Sequence, residues 1–451
     1  MATVLNRLPL RSAAPGTVSA AVELLGDRRA VVVRMDPSTK RGALTPADGE
    51  LMTDAARLAR EQRIPLVWFV ASSGADVEEG VAAVIGWGRA AAEIANLSGV
   101  VPFLVAVTGP AVSGSALLVG LADHVVMTRE AYAFVSGPIM VEMMTGVQID
   151  TGTLGGSGAH YRSTGVASMI VDDEPEAEAA ITALLSLLPD HADVAPPIIA
   201  TGDHPQRPTP ELLDLLPRSS TGSYDVRDIA RAVVDDGEIL ELRAGWAPNL
   251  VTALASIGGH PVGIVANQPM AVAGTLDIPA SQKGARFVAF CDAYNLPLVT
   301  LVDTPGFYPG KDLEWRGMIR HGAQLAFAYA RATVPRVCVV LRKSYGGAYI
   351  VMDSKAMGND ICLAWPTAEL AVMGASQAAE ILARREDDDG KAAFVADYEE
   401  RLLNPFVAAE RGLVDEVIDP AATRQHLSAA LDLLSSKRER LPHRVHDNTP
   451  L

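Results

Sequence analysis

Cysteine is scarce in this 451-residue chain, and its three copies, Cys291, Cys338 and Cys362, stand far apart with no C-x-x-C among them. That spacing excludes a zinc ribbon and a disulfide framework, and suits small buried thiols in a reducing cytoplasm. Aromatic residues make up only 5%, while Ala, Val, Leu and Gly abound. Such a composition favours close-packed α/β layers over an aromatic-rich β-sandwich. Basic residues are outnumbered, 38 Lys and Arg against 54 Asp and Glu for a net charge of −16. This argues against nucleic acid as a partner, since phosphate neutralisation needs clustered Lys and Arg. The N-terminus lacks the continuous apolar region of a signal peptide. Residues 94–122 carry no charge, but Pro102, Gly109, Pro110, Gly114 and Gly120 interrupt them. A strand, a tight turn and a buried helix are predicted there, not a membrane span.

Familiar catalytic signatures are missing too. There is no G-x-S-x-G elbow, no G-x-x-x-x-G-K-[ST] phosphate loop and no Met-Lys dipeptide. Residues 84–91 imitate a dinucleotide fingerprint, but their Ala-rich flanks read as one helix, and no acidic residue follows at the distance that holds a ribose. No metal site is expected.

What the chain does have is a repeat. Ile64 to Gly74 lies over Leu296 to Gly306 at an offset of 232, matching Pro65, Leu66, Val67, Val70 and Gly74. Val101 to Val107 lies over Val334 to Val340 at 233, which carries Ser113-Gly114 onto Gly346-Gly347. At 237, Asp123 falls on Asp360, Ala131 on Ala368, Val135 on Val372 and Gly137 on Gly374. Three ordered blocks imply a tandem duplication. Strands alternating with helices imply parallel pairing within each copy. The expected division is an N-terminal domain over 1–200, a Pro-, Asp- and Thr-rich linker or crossover over 201–235, and a C-terminal domain over 236–451.

In each copy an apolar strand runs into small residues where a helix begins: Gly109 to Ser115, and Ser344 to Ala348. Free N–H groups at a helix start carry partial positive charge, and two of them side by side stabilise a developing oxyanion. His160, in Gly155-Gly156-Ser157-Gly158-Ala159-His160, suits either carbonyl polarisation or a structural hydrogen bond. Asp303 and Asp360 sit at strand ends, where turn and cap roles are common.

The C-terminal copy resembles the carboxyltransferase (beta) subunit of biotin-dependent acyl-CoA carboxylases of the propionyl-CoA carboxylase type. The matching stretches are Gly263 to Pro269, Val302-Asp303-Thr304-Pro305-Gly306-Phe307, Tyr345-Gly346-Gly347-Ala348-Tyr349, Leu363 to Ala368, and Asn404-Pro405-Phe406 through Gly412. The N-terminal copy matches more loosely.

The resemblance implies an α/β fold of two crotonase-like (ClpP/crotonase) domains in tandem and a hexamer built from dimers. It implies transfer of CO2 from carboxybiotin, carried on a separate subunit, to the α-carbon of an acyl-CoA or a related acyl thioester. A biotin carboxylase and biotin carrier (alpha) subunit would be partners, in the cytoplasm, with no membrane. It gives Gly347 and Ala348 as the amide pair of the biotin side, and Ser113 and Gly114 as that of the acyl side. Asp303, Pro305, Gly306 and Phe307 would adjoin biotin. Tyr345, Gly346, Ala111, Gly74, Gly155, Gly156 and His160 would line the substrate, and Ile350 would contact the acyl chain.

Against the family pattern the N-terminal copy reads as shortened and divergent. Asp76 stands in place of an Arg, Ser113 in place of a Gly, and Gly158-Ala159 precedes His160 where the family has Arg-Thr, which loses another basic group. Lys40 and Arg41 are the nearby cations that would replace lost contacts to CoA phosphates. Two alternatives accompany the carboxyltransferase reading: a non-catalytic assembly subunit of a carboxylase ring, and a biotin-independent acyl thioester decarboxylase.

Overall fold

A computed structural model describes residues 7–217, 219, 222–437, 439–443 and 447–450. The chain falls into two compact units, Met1–Pro197 with Arg243–Trp246, and Ile198–Leu242 with Ala247–Leu451.

The first unit is built on one sheet, in the order Arg7–Pro9, Val18–Leu25, Arg28–Met35, Leu66–Ser72, Phe103–Val112, His124–Thr128, Met169–Val171, with Tyr132–Phe134 added beside Phe103–Val112. The second repeats that order with Leu240–Glu241, Leu250–Ile257, His260–Asn267, Leu298–Thr304, Arg336–Tyr345, Ile361–Ala364 and Glu416–Val417, and adds Glu369–Ala371 beside Arg336–Tyr345. Both sheets open with antiparallel pairs and become parallel from the third strand onward. Leu66–Ser72 and Leu298–Thr304 are buried along their whole length, as central parallel strands covered on both faces must be.

The duplication extends to backbone detail. At an offset of 232, φ is +63° and +59° at Gly26 and Gly258, +46° and +41° at Lys40 and Val272, +56° and +57° at Arg41 and Ala273, and +57° and +58° at Arg63 and Asn295. Left-handed non-glycine residues are uncommon, so their recurrence in register reflects common descent of the two halves. Side chains repeat as well. Asp123 accepts from the Phe103 amide at 2.9 Å, and Asp360 accepts from the Arg336 amide at 2.8 Å. Thr45 and Asp277 each cap the helix that follows, Pro46–Gln62 and Ile278–Ala293. The strand-end aspartate Asp360 is therefore a cap, one of the two roles expected of it.

Residues 201–235, expected as a linker or crossover, contribute to the second unit among the described residues. Leu212, Tyr224, Val226, Ile229 and Val233 belong to the core of the second unit. Arg424, fully buried, ties them down through Asp235 at 2.6 Å and the Val233 carbonyl at 2.8 Å. The prolines made this stretch look detached, while its apolar residues are spaced to line one face.

Candidate functional site

Each unit carries one turn where a long strand hands over to a short helix. In the first, strand Phe103–Val112 ends, Ser113 takes φ +60° and ψ −117°, and helix Gly114–Val119 begins. The Ser113 amide donates to the Phe134 carbonyl at 2.9 Å. It is therefore committed to the sheet, which corrects the expectation that Ser113 and Gly114 form the amide pair. Among the described residues the amides of Gly114 and Ser115 have no acceptor, so the available pair lies one residue further on. The Ser115 side chain turns inward and donates to the Val112 carbonyl at 2.8 Å. Trp87 lies against Gly114: a Cβ there would stand 2.6 Å from the indole.

The second turn has the same build. Strand Arg336–Tyr345 ends, Gly346 takes φ +59°, and helix Gly346–Val351 starts with the Gly347 and Ala348 amides, which have no acceptor among the described residues. Phe307 flanks them, 3.7 Å from where a Gly347 Cβ would be. Gly306 (φ +142°) has open space on its Cβ side, and its amide donates to Thr304 Oγ1 at 3.4 Å. In the first unit, Gly74 (φ +102°) donates likewise to Ser72 Oγ at 3.1 Å. Ile350 is part-exposed on its helix, and Leu117 occupies the equivalent place in the other unit.

Several expected site residues have other work. The buried Asp303 carboxylate accepts from Tyr224 at 2.9 Å, Arg342 Nε at 3.0 Å and the Lys343 amide at 3.1 Å. It braces the strand behind the turn. Pro305 follows in the half-buried loop that leads to Gly306. Tyr345 donates its hydroxyl to Glu369; burial, then that carboxylate, push the phenol well above its ordinary range. His160 bonds the Ala133 carbonyl at 2.8 Å and Thr164 at 2.9 Å, the structural alternative of its two readings. Gly155 and Gly156 allow close approach: a Cβ would meet the Ala133 carbonyl at 2.1 Å or the Gly152 carbonyl at 2.7 Å. Ala111 is buried in the strand, paired with Ser72.

Lys40 is not a free cation. It pairs with Asp76 at 2.7 Å and Glu78 at 3.0 Å. Hydrogen bonding to the two carboxylates raises its ammonium pKa and depresses that of Asp76. Arg41 is exposed beside it. Ser115, Trp87 and the Tyr224–Asp303–Arg342 cluster escaped sequence reasoning. Only Ser115 left a signal, because the 233 offset places it on Ala348.

Among the described residues no group of three or more His, Cys, Asp or Glu is placed to hold a metal, and no helix is long and apolar enough to cross a membrane.

The family model for the carboxyl transferase domain matches residues 18–449. The chain is 42% identical to the methylmalonyl-CoA carboxyltransferase 12S subunit of Propionibacterium freudenreichii subsp. shermanii, over 86% of this chain and 75% of that one. It is 43% identical to the propionyl-CoA carboxylase beta chain of Saccharopolyspora erythraea, over 94% and 81%. Its fold is similar to the crystal structure of a transcarboxylase 12S hexamer with methylmalonyl-coenzyme A bound, with a TM-score of 0.97 and 37% identity over 99% of this chain and 90% of that one.

Proposed function

The chain belongs to the carboxyl transferase domain family, with the tandem crotonase-like α/β fold its repeat implies, and from that premise we propose how its two turns divide an acyl-CoA carboxyl transfer. The observation that carries the reading is the duplicated turn: one left-handed residue, then two amides without an acceptor among the described residues, in each unit. Gly114 and Ser115 hold the enolate oxygen of the acyl thioester. Gly347 and Ala348 hold the ureido oxygen of biotin. Two aligned N–H donors at a helix start stabilise negative charge as it develops, without reorganisation.

The second turn fits a biotin ring, since Gly306 leaves open space and Phe307 offers an apolar face beside the Gly347 amide. Carboxybiotin, when bound, supplies CO2 and then the nitrogen base that takes the α-proton. The chain itself supplies dipoles, apolar walls and orientation. Ile350 and Leu117 are the aliphatic side chains these helices offer to an acyl chain.

Helix Pro138–Thr145 follows the first turn and exposes Ile139, Met140, Met143 and Met144. A large exposed apolar face marks an interface, and a homo-oligomer like the related 12S hexamer would cover it. Biotin carboxylase and biotin carrier functions come from another subunit.

The test is to mix the purified chain with a carboxylated biotin carrier and a panel of acyl-CoA and acyl-carrier thioesters, following label into product. Labelled product from one or more thioesters supports the reading. Loss of CO2 only from malonyl-type thioesters, without biotin, would replace it with the decarboxylase. Activity seen only beside a homologous subunit would make this chain an assembly component.

A further inference from the structure

Three positions beneath each turn correspond through the repeat. In the first unit they are Trp68, Phe103 and Gly120. Trp68 and Phe103 pack edge to face with centroids 5.3 Å apart, and Gly120 closes helix Gly114–Val119. In the second unit the same positions are Thr300, Arg336 and Asp353, and the aromatic pair has become a buried polar cluster. Arg336 Nη1 donates to Asp353 Oδ1 at 2.9 Å, and Thr300 Oγ1 donates to Asp353 Oδ2 at 3.3 Å. The side chains of the ion pair are 3% and 0% exposed.

A buried ion pair is seldom more stable than apolar packing of similar volume. The first unit demonstrates that this fold accepts apolar packing at these positions. Arg336 Nε even lacks a hydrogen-bond partner among the described residues. What the polar version adds is fixed geometry. Arg336 opens the strand that ends at the Gly347 turn, and its Nη2 holds the carbonyls of Met357, at 3.1 Å, and Gly358. Asp353 follows the helix that carries the Gly347 and Ala348 amides. That helix closes with the Met352 amide on the carbonyls of Ala348 at 3.1 Å and Tyr349 at 3.2 Å. Asn359 Nδ2 then fixes the Asp353 carbonyl at 2.6 Å. The pair clamps the far end of the turn's helix to the start of the strand that feeds it.

The groups that interact with Asp353 come from several neighbouring elements. Arg336 and the Cys338 thiol lie on its own feeding strand, Thr300 on the adjacent strand, and Tyr329, 3.0 Å from Thr300 Oγ1, on helix Met318–Arg331. Asp360 stands ahead of strand Ile361–Ala364. Burial raises the Asp353 carboxyl most, Asp360 adds to that, and Arg336 and Thr300 oppose it; the result is a carboxyl pushed up to about 6.

We propose that Arg336 and Asp353 are positioning residues for the Gly347–Ala348 turn, and that protonation of Asp353 loosens the clamp and slows carboxyl transfer. This rests on the reading of that turn as an oxyanion site.

The experiment is steady-state transfer from the carboxylated carrier to the acyl-CoA best used in the labelling panel, from about pH 5 to 8.5. Wild-type kcat should show an acid limb near pH 6. Asp353→Asn should lower kcat about 10- to 100-fold at neutral pH, leave KM for acyl-CoA within about twofold, and abolish the limb. Thr300→Val removes a bond that favours the carboxylate, so it should move the limb to higher pH. A folded Asp353→Asn enzyme with wild-type kcat, or an unmoved limb in Thr300→Val, would overturn the proposal. Should Asp353→Asn not fold, the Thr300→Val limb decides alone. Gly347→Val tests the underlying reading separately. Full transfer by that variant sinks the oxyanion assignment. Its loss, alongside unchanged Asp353 and Thr300 profiles, sinks only the clamp.

Discussion

Ser113 and Gly346 share a left-handed φ, +60° and +59°, at the point where strand gives way to helix in each unit. Glycine takes it freely; a serine there is strained by about 1–3 kcal/mol. Ser113→Gly also loosens the unfolded chain, which offsets up to about 1 kcal/mol. The expected net gain is about 1 kcal/mol in urea unfolding, with transfer retained because the Gly114 and Ser115 amides stay in place. A less stable variant would contradict the strain.

The two amide-bearing glycines should differ in tolerance. A Cβ at Gly114 would lie 2.6 Å from the Trp87 indole, whereas one at Gly347 meets only Phe307, at 3.7 Å. Gly114→Ala should therefore destabilise the protein by about 1–3 kcal/mol through overpacking, and Gly347→Ala by less than about 1 kcal/mol. Calorimetric unfolding of the two variants checks the contrast.

The Lys40–Asp76 pair sets a charge prediction. Asp76→Asn frees much of the Lys40 charge for a phosphate. KM for acyl-CoA should fall about two- to fivefold at low salt, and the gain should vanish at high salt. A KM unchanged at both ionic strengths would remove Lys40 from the CoA path.

Stability should respond to Asp353 with a definite sign. Its folded carboxyl is raised to about 6 from 3.8, so between those values the folded state binds the extra proton. This group's contribution is most favourable below about pH 4 and falls by about 3 kcal/mol in all as pH rises past 6. The stability of wild type minus that of Asp353→Asn should therefore grow on acidification from about pH 7.5 to 4.5. At this one residue, acid would then favour the folded state while slowing the reaction.

Met143→Glu places a charge on the exposed apolar helix Pro138–Thr145. Light scattering should report smaller species and a loss of transfer. An undiminished oligomer would show that the helix faces water.

The offset blocks made the duplication legible, and the φ values above are its physical counterpart. The amide pair in the first unit was misread because a motif names residues without saying where each N–H goes. The Phe134 carbonyl, 21 positions along the chain, takes the Ser113 amide. The bracing role of Asp303 was hidden for a similar reason. Its Arg342 and Tyr224 partners lie 39 and 79 positions away, and only the folded sheet brings them together. Residues 201–235 looked like a linker because Pro, Asp and Thr recur among them, although burial is decided by the apolar side chains between them.

The contrast between Trp68–Phe103–Gly120 and Thr300–Arg336–Asp353 has a genetic consequence. Had the two turns been encoded by one gene and brought together as identical subunits, every mutation would have struck both at once. An acid-sensitive brace useful under one ligand would then have been imposed on the other. Duplication removed that constraint, so each turn can be braced in its own way, with the buried ion pair on one side alone.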